Sequence, residues 1–241
     1  MHLFYVPDIS PGWLPPEESH HCIQVMRLKV GDEIYLSDGV GTLYRAVLQN
    51  EHPKKCAFEI REQWPGFQKR NYAIHLAIAP PKNTDRLEWL VEKSVELGVD
   101  EISFLRCERS ERKQIKTDRL EKVAISAMKQ SLKTYLPQIR DMISFDKFVE
   151  TLAGAPDKFI AWLPEEPPEH LLQKLVPGRS YCILVGPEGD FSPREVECAL
   201  KNGFQSVSLG ISRLRTETAG IVACHLCHLK NEVKSDQPIH R

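Results

Sequence analysis

Two segments near the C-terminus carry the residues best suited to chemistry: Ile183-Leu-Val-Gly-Pro-Glu-Gly-Asp-Phe-Ser192 and Leu209-Gly-Ile-Ser-Arg-Leu-Arg-Thr-Glu-Thr-Ala-Gly220. Each runs from an apolar strand into a glycine turn and then into a capped helix. Loops leaving the carboxyl ends of neighbouring parallel strands converge on one crevice, and open α/β sheets bind ligands there. In the first loop Gly186 and Gly189 allow close backbone approach to a ligand and Pro187 stiffens the turn. Asp190-Phe191 stands where a phosphate loop needs its Lys-Ser/Thr, and no G-x-G-x-x-G occurs in the chain. The acid Glu188 disfavours a polyphosphate and suits a cation, such as a sulfonium. The second loop has Gly210 at its entry and Arg213, Arg215 and Glu217 beside the helix start. Alone it reads as a capped helix with surface charges; paired with the first it reads as a site.

The elements that must position these loops follow from periodicity and turn chemistry. Residues 3–6, 33–37, 42–48 and 56–62 read as short strands, punctuated by Gly31-Asp32 and Asp38-Gly-Val-Gly41, which predicts a small β-barrel or sandwich over residues 1–70. Residues 64–71, with Pro65, Gly66 and the basic pair Lys69-Arg70, read as a linker. From Tyr72 the pattern becomes strand and helix in alternation, the mark of a parallel sheet with crossover helices over residues 71–241. Strands are expected at 73–79, 99–105, 159–163, 181–185 and 206–209. Helices are expected at 85–97, stopped by Gly98, at 117–136, ended by Pro137, and at 145–152 and 169–175. Ser192-Pro-Arg-Glu195 is a capping box with proline at the first helical position, and Thr216 caps a last helix running towards Glu232. The tail from Lys234 has no core pattern and is expected to fray.

The chain has 241 residues, 41% apolar and 27% charged, with a net charge of −1, the profile of an ordinary globular protein. No apolar run approaches the roughly 20 residues needed to span a bilayer. The opening Met-His-Leu-Phe-Tyr-Val-Pro carries neither a basic leader nor a small-residue cleavage site, so a cytoplasmic protein without a membrane partner is expected. Seven scattered cysteines suit reduced core positions. Cys224-His-Leu-Cys-His228 matches the haem-attachment pattern C-x-x-C-H, but it lies in an apolar helix and reads as that helix's buried face. Charge is unevenly spread: residues 106–140 hold ten Lys or Arg against four acids. Such a stripe can contact several phosphates, or can simply be a solvated helix face.

Gly-Pro-Glu-Gly followed by Leu-Gly-x-x-x-Leu-Arg-Thr-Glu-Thr-Ala strongly resembles the RsmE-type ribosomal RNA uridine-N3 methyltransferases of the SPOUT superfamily. His21-Cys-Ile-Gln-Val-Met-Arg27 with Lys29-Val-Gly-Asp32, Lys93-Ser-Val-Glu-Leu-Gly98, and Gln130-Ser131 through to Pro137 resemble the family's remaining signatures, so the likeness spans the chain. The resemblance implies a PUA-like β-barrel that grips RNA, joined to an α/β domain with a C-terminal trefoil knot. It implies a homodimer with S-adenosylmethionine held in the knot, and a 16S ribosomal RNA or assembled small subunit as substrate. By matching position it places the cofactor against Leu163, Gly186, Gly189, Leu209, Gly210, Ile211 and Leu214. The chain departs from the family pattern at Asp190 (usually glycine), at Ser212-Arg213, where an arginine has moved by one residue, and at Lys129 and Lys133.

Methylating uridine N3 requires removal of the imide proton. Glu188 or Glu217 is expected to take it, with Arg215 stabilising charge on the flanking carbonyls. Arg27, Arg109, Arg112 and Lys113 are the candidates for RNA grip. The competing readings are a non-catalytic RNA-binding ribosome assembly factor, a SPOUT enzyme acting on a ribose or another base, and, through Cys224 to His228, a haem protein.

Overall fold

The computed structural model describes residues 2–152, 157–164 and 166–232. The expected fraying tail from Lys234 lies outside them. The chain divides into two compact units, one of residues Met1–Lys69 with Ile125–Leu136, the other of Arg70–Ala124 with Pro137–Arg241.

In the first unit four strands form one sheet in the order β1 (Leu3–Tyr5), β2 (Glu33–Ser37), β3 (Leu43–Leu48), β4 (Phe58–Trp64). β1 lies parallel to β2, and the other pairs are antiparallel. Period-two alternation puts Ile34, Leu36, Ala46 and Leu48 into a core with Phe4, Leu14, Cys22 and Phe58. β4 starts later than its sequence suggests and runs on to Trp64, which pairs with Leu43, so the expected linker gives its first residue to the sheet. The sequence pattern showed no helix here, yet α1 (Pro16–His20) is followed directly by a π-turn over His21–Val25. That turn ends at Met26 and Arg27, the latter left-handed with φ 57°. The turn at 38–41 folds on the segment contributed from further along the chain: Gly41 N donates to Thr134 O at 3.0 Å, and the Tyr135 ring fills the space a Cβ on Gly41 would need.

The second unit is a six-stranded sheet in the order β10-β8-β9-β5-β6-β7, every pair parallel. Its elements run β5 (Ile74–Ile78), α2 (Thr84–Glu96), β6 (Glu101–Arg106), the part of α3 (Thr117–Gln130) before Ile125, β7 (Gln138–Ser144), α4 (Phe145–Thr151), β8 (Asp157–Ala161), α5 (Leu171–Lys174), β9 (Tyr181–Val185), α6 (Pro193–Lys201), β10 (Gln205–Val207) and α7 (Thr216–Glu232). The central strands are apolar on both faces, as sheets covered by helices on each side must be: all five residues of β9 are buried. α7 packs closely on this sheet. A Cβ on Gly220 would lie 2.8 Å from Ile78 Cδ1 and 2.9 Å from Leu90 Cδ1. Cys224 and Cys227 lie fully buried in α7, and burial pushes the Cys224 thiol up to about 12. The C-x-x-C-H spacing is therefore part of a packed helix face.

One expectation needs correcting, and one strand was not foreseen. α3 stops at Gln130 instead of reaching Leu136. Lys133 N donates to Met128 O and Leu132 N to Lys129 O, the paired bonds that close a helix through a left-handed residue. That residue is Leu132, with φ 55°, where glycine is usual, so the sequence carried no stop signal. β7 was not expected at all. It is a half-buried edge strand with Arg140 and Asp141 at its centre and a register shift against β6, so no alternation survives to be read. Among the described residues no helix is long and apolar enough to cross a membrane.

Candidate active site

All strands of the larger sheet point the same way, so the loops after β8, β9 and β10 leave one edge together. β9 and β10 are not neighbours, as the sequence reading assumed, because β8 lies between them. The loop after β8 therefore joins the other two, and the three line a cavity of about 600 Å³. Ala161, Trp162 and Leu163 come from the first loop, Gly186, Pro187, Glu188, Gly189 and Asp190 from the second, and Leu209, Gly210, Ile211, Ser212, Arg213, Leu214, Arg215 and Thr216 from the third.

The first of the two glycine loops is held from several sides. Asp190 N donates to Pro187 O at 2.9 Å, closing a turn that leaves Asp190 left-handed at φ 60°. A Cβ on Gly186 would lie 3.2 Å from the Phe191 ring and 3.2 Å from Phe191 N, so a side chain there would push the loop open. The capping box of α6 forms with both of its bonds. Its Glu195 does more: one carboxylate oxygen accepts from Ser192 N at 2.8 Å and the other from Glu108 N at 2.8 Å, fixing the segment after β6 beside this loop. From that segment Arg109 Nη1 donates to Gly189 O at 2.7 Å and to Phe191 O at 3.5 Å.

The second glycine loop is braced by Ser208, whose hydroxyl accepts from Gly210 N at 3.0 Å and donates to Gly210 O at 3.2 Å. Gly210 has φ 121°, open only to glycine. Thr216 is the first helical residue of α7, and its hydroxyl donates to Gly186 O at 3.2 Å. It ties one loop to the other where the sequence suggested a local cap.

The residues proposed from sequence fall into distinct places. Leu163, Gly186, Gly189, Leu209, Gly210, Ile211 and Leu214 line the cavity, as do Glu188 and Arg215, both exposed at its rim. Glu217 does not. It is 4% exposed, with one carboxylate oxygen 3.6 Å from Arg86 Nε and the other buried without a hydrogen-bond partner. Arg109 and Arg112, expected to reach for RNA, are engaged with their own chain. Arg112 Nε donates to Pro81 O at 3.0 Å, and its Nη2 donates to Lys82 O at 2.5 Å and to Thr84 Oγ1 at 3.0 Å, which fastens the loop before α2. Lys113 and Arg27 are exposed. Trp162, Asp190 and Thr216 escaped the sequence reading as cavity residues because their roles depend on partners distant in sequence.

The walls offer apolar surface from Leu163, Val185, Leu209 and Leu214, backbone from the two glycine turns, and two carboxylates, Glu188 and Asp190. That donor set fits a flat heteroaromatic ring on the apolar side and a cationic group on the acidic side, and the volume is that of a small-molecule site. Ile211 is 99% exposed and Leu163 46% exposed at the rim, leaving apolar surface for a bound molecule or a second chain to cover.

Residues 68–228 match the RNA methyltransferase domain family, and residues 14–61 match the RNA methyltransferase PUA domain. Ribosomal RNA small subunit methyltransferase E of Synechocystis is 31% identical over 218 residues, covering 87% of this chain and 70% of that protein. The protein of the same name from Bacillus subtilis is 28% identical, covering 92% of this chain and 91% of the relative. A crystal structure of a probable rRNA-methyltransferase from Porphyromonas gingivalis superposes with a TM-score of 0.90 at 43% identity, covering 98% of this chain and all of that one (100%). Ribosomal RNA small subunit methyltransferase E from Neisseria gonorrhoeae, solved bound to S-adenosyl methionine, superposes with a TM-score of 0.83 at 28% identity, covering 93% and 95% of the two chains.

Proposed function

This chain belongs to the RsmE-type ribosomal RNA methyltransferases, and from that premise we propose that it transfers a methyl group from S-adenosylmethionine to N3 of one uridine in 16S ribosomal RNA. The observation that carries the reading is the convergence of three loops on one cavity that has an apolar wall, two carboxylates and a rim arginine. The sulfonium donor supplies the methyl group. Leu163, Leu209 and Leu214 would hold its apolar ring system, and the backbone at Gly186 and Gly210 would let it approach closely.

The chain's own residues must then deal with a proton and a negative charge. N3 of uridine becomes nucleophilic only when its imide proton leaves, and Glu188 takes it, a role supported by its exposed position in the cavity lining. Arg215 faces the charge that spreads onto the flanking carbonyl oxygens as the proton departs. Glu217, shut away beside Arg86, supports the first turn of α7 and does not reach the base. The target base leaves its stack to enter the cavity, as base-modifying enzymes require.

RNA grip falls to the exposed Arg27 and Lys113, while Arg109 and Arg112 brace the loops that shape the cavity. A second copy of the chain, in a homodimer, covers the apolar rim at Ile211. Replacing Arg215 with alanine tests the core of the reading. Methyl transfer should fall at least about tenfold, equivalent to about 1.4 kcal/mol of barrier, with donor affinity retained. Unchanged turnover would remove Arg215 from the role.

A further inference from the structure

Asp190 occupies an unusual position in the cavity wall. Its left-handed backbone, φ 60°, is one that aspartate tolerates better than most side chains, and its carboxylate is folded back over the turn. Oδ1 accepts from Phe191 N at 2.8 Å and Oδ2 from Leu163 N at 3.5 Å. The first contact tightens the loop after β9 on itself, and the second ties that loop to the loop after β8. A carboxylate offers about four acceptor sites, so these two bonds leave acceptor capacity on a residue that lines the cavity. No Lys or Arg among the described residues forms an ion pair with it.

Glu188, by contrast, is exposed at the rim, and Arg213 and Arg215 are exposed as well, so solvent screens their fields. Asp190 is half-buried against the wall, where a charge acts more strongly on whatever lies beside it. It is a fixed negative charge in a site built for one ligand that is cationic before the reaction and one that is not afterwards.

We propose that Asp190 is the residue by which this cavity distinguishes the sulfonium donor from its neutral demethylated product. The inference rests on the donor-site reading above. S-adenosylmethionine and S-adenosylhomocysteine share adenosine, ammonium and carboxylate, and differ only in the methyl group and the positive charge on sulfur. When the methyl leaves, the S–C bond electrons return to sulfur as a lone pair and its charge is lost. The attraction to Asp190 is lost with it, which favours release of product over retention.

The test is calorimetric titration of both nucleosides into the full-length protein and its Asp190→Asn variant, with no RNA present. Asparagine keeps the shape, the left-handed tolerance and one acceptor, and removes the charge. The dissociation constant for S-adenosylmethionine should rise about tenfold, while that for S-adenosylhomocysteine changes by less than about twofold. Asp190→Gly, which suits the same backbone, should show the same narrowing of preference and serves if the asparagine variant does not fold. An equal loss of affinity for both nucleosides would make Asp190 a loop brace only, and no loss for either would remove it from binding; both results overturn the inference. If the unaltered protein bound neither nucleoside, the donor-site reading itself would fall.

Discussion

The Thr216 hydroxyl joins the two glycine loops, and deleting it should loosen the cavity by a calculable amount. Thr216 is 5% exposed and donates to Gly186 O at 3.2 Å. Valine in its place keeps the volume and branching but leaves that carbonyl without its partner. A neutral hydrogen bond contributes about 0.5–1.5 kcal/mol net, and stranding a buried acceptor costs about 1–3 kcal/mol. Here the bond is longer than the usual O–H···O distance of about 2.5–3.0 Å and Gly186 lines the open cavity, so the lower figures apply. We expect a loss of about 1–2 kcal/mol, or roughly 2–8 °C in Tm for a chain of this length. Because the same bond sets the spacing of the two loops, donor affinity should fall by up to about tenfold for each 1.4 kcal/mol lost. Thermal melts and calorimetric titration of Thr216→Val and Thr216→Ser read both effects. Serine, which keeps the hydroxyl, should stay near the unaltered protein on both measures. A valine variant with unchanged Tm and donor affinity would refute the linkage, and a serine variant as impaired as valine would show that the methyl group, not the hydroxyl, is what matters.

Arg109→Ala removes the guanidinium bonded to Gly189 O at 2.7 Å, so donor affinity should drop several-fold even without RNA; a defect confined to RNA binding would return Arg109 to the phosphate-contact role. Gly220→Ala sets about 1–3 kcal/mol of overpacking against about 1 kcal/mol of gained helix propensity. With Ile78 Cδ1 only 2.8 Å from the new Cβ, urea unfolding should show a net loss of about 1 kcal/mol, and a stabilised variant would contradict the close packing of α7. His75 is held neutral chiefly by burial, aided by Arg140 and opposed by Glu101, so its folded value lies below the ordinary 6.5. The unfolded chain then takes up a proton that the folded one refuses. Stability should be greatest above about pH 6.5 and decline as pH falls from there towards the folded value. His75→Gln should flatten that slope in melts between about pH 7 and 5, and an unchanged slope would assign it to other groups.

What could be read from the sequence was whatever is encoded locally. Ser192 and Glu195 announced a capping box and formed one. Gly98 announced the end of α2 and adopts φ 80° there, and the two glycine loops were recognisable as the partners in one cavity. Features that depend on distant partners were silent. Leu132 ends α3 without a glycine, and β7 borrows its pairing from β6 while carrying charge at its centre. Arg109 looked like one more cation in a basic stripe until Gly189 and Phe191 appeared against it. Glu217 looked catalytic because it follows Arg215 in the chain. Thr216, the first residue of α7, lines the cavity, and one further residue of helical rotation, about 100° round the axis, carries Glu217 away from it and towards Arg86.

Delivery of a methyl group from this cavity to a uridine base is directly measurable. Small-subunit RNA incubated with the protein and S-adenosylmethionine, then digested and mapped by mass spectrometry, tests it directly. The expected result is a single added methyl on the base of one uridine, at N3. A methyl on ribose or on another base would contradict it, as would RNA returned unmodified by protein that binds the donor.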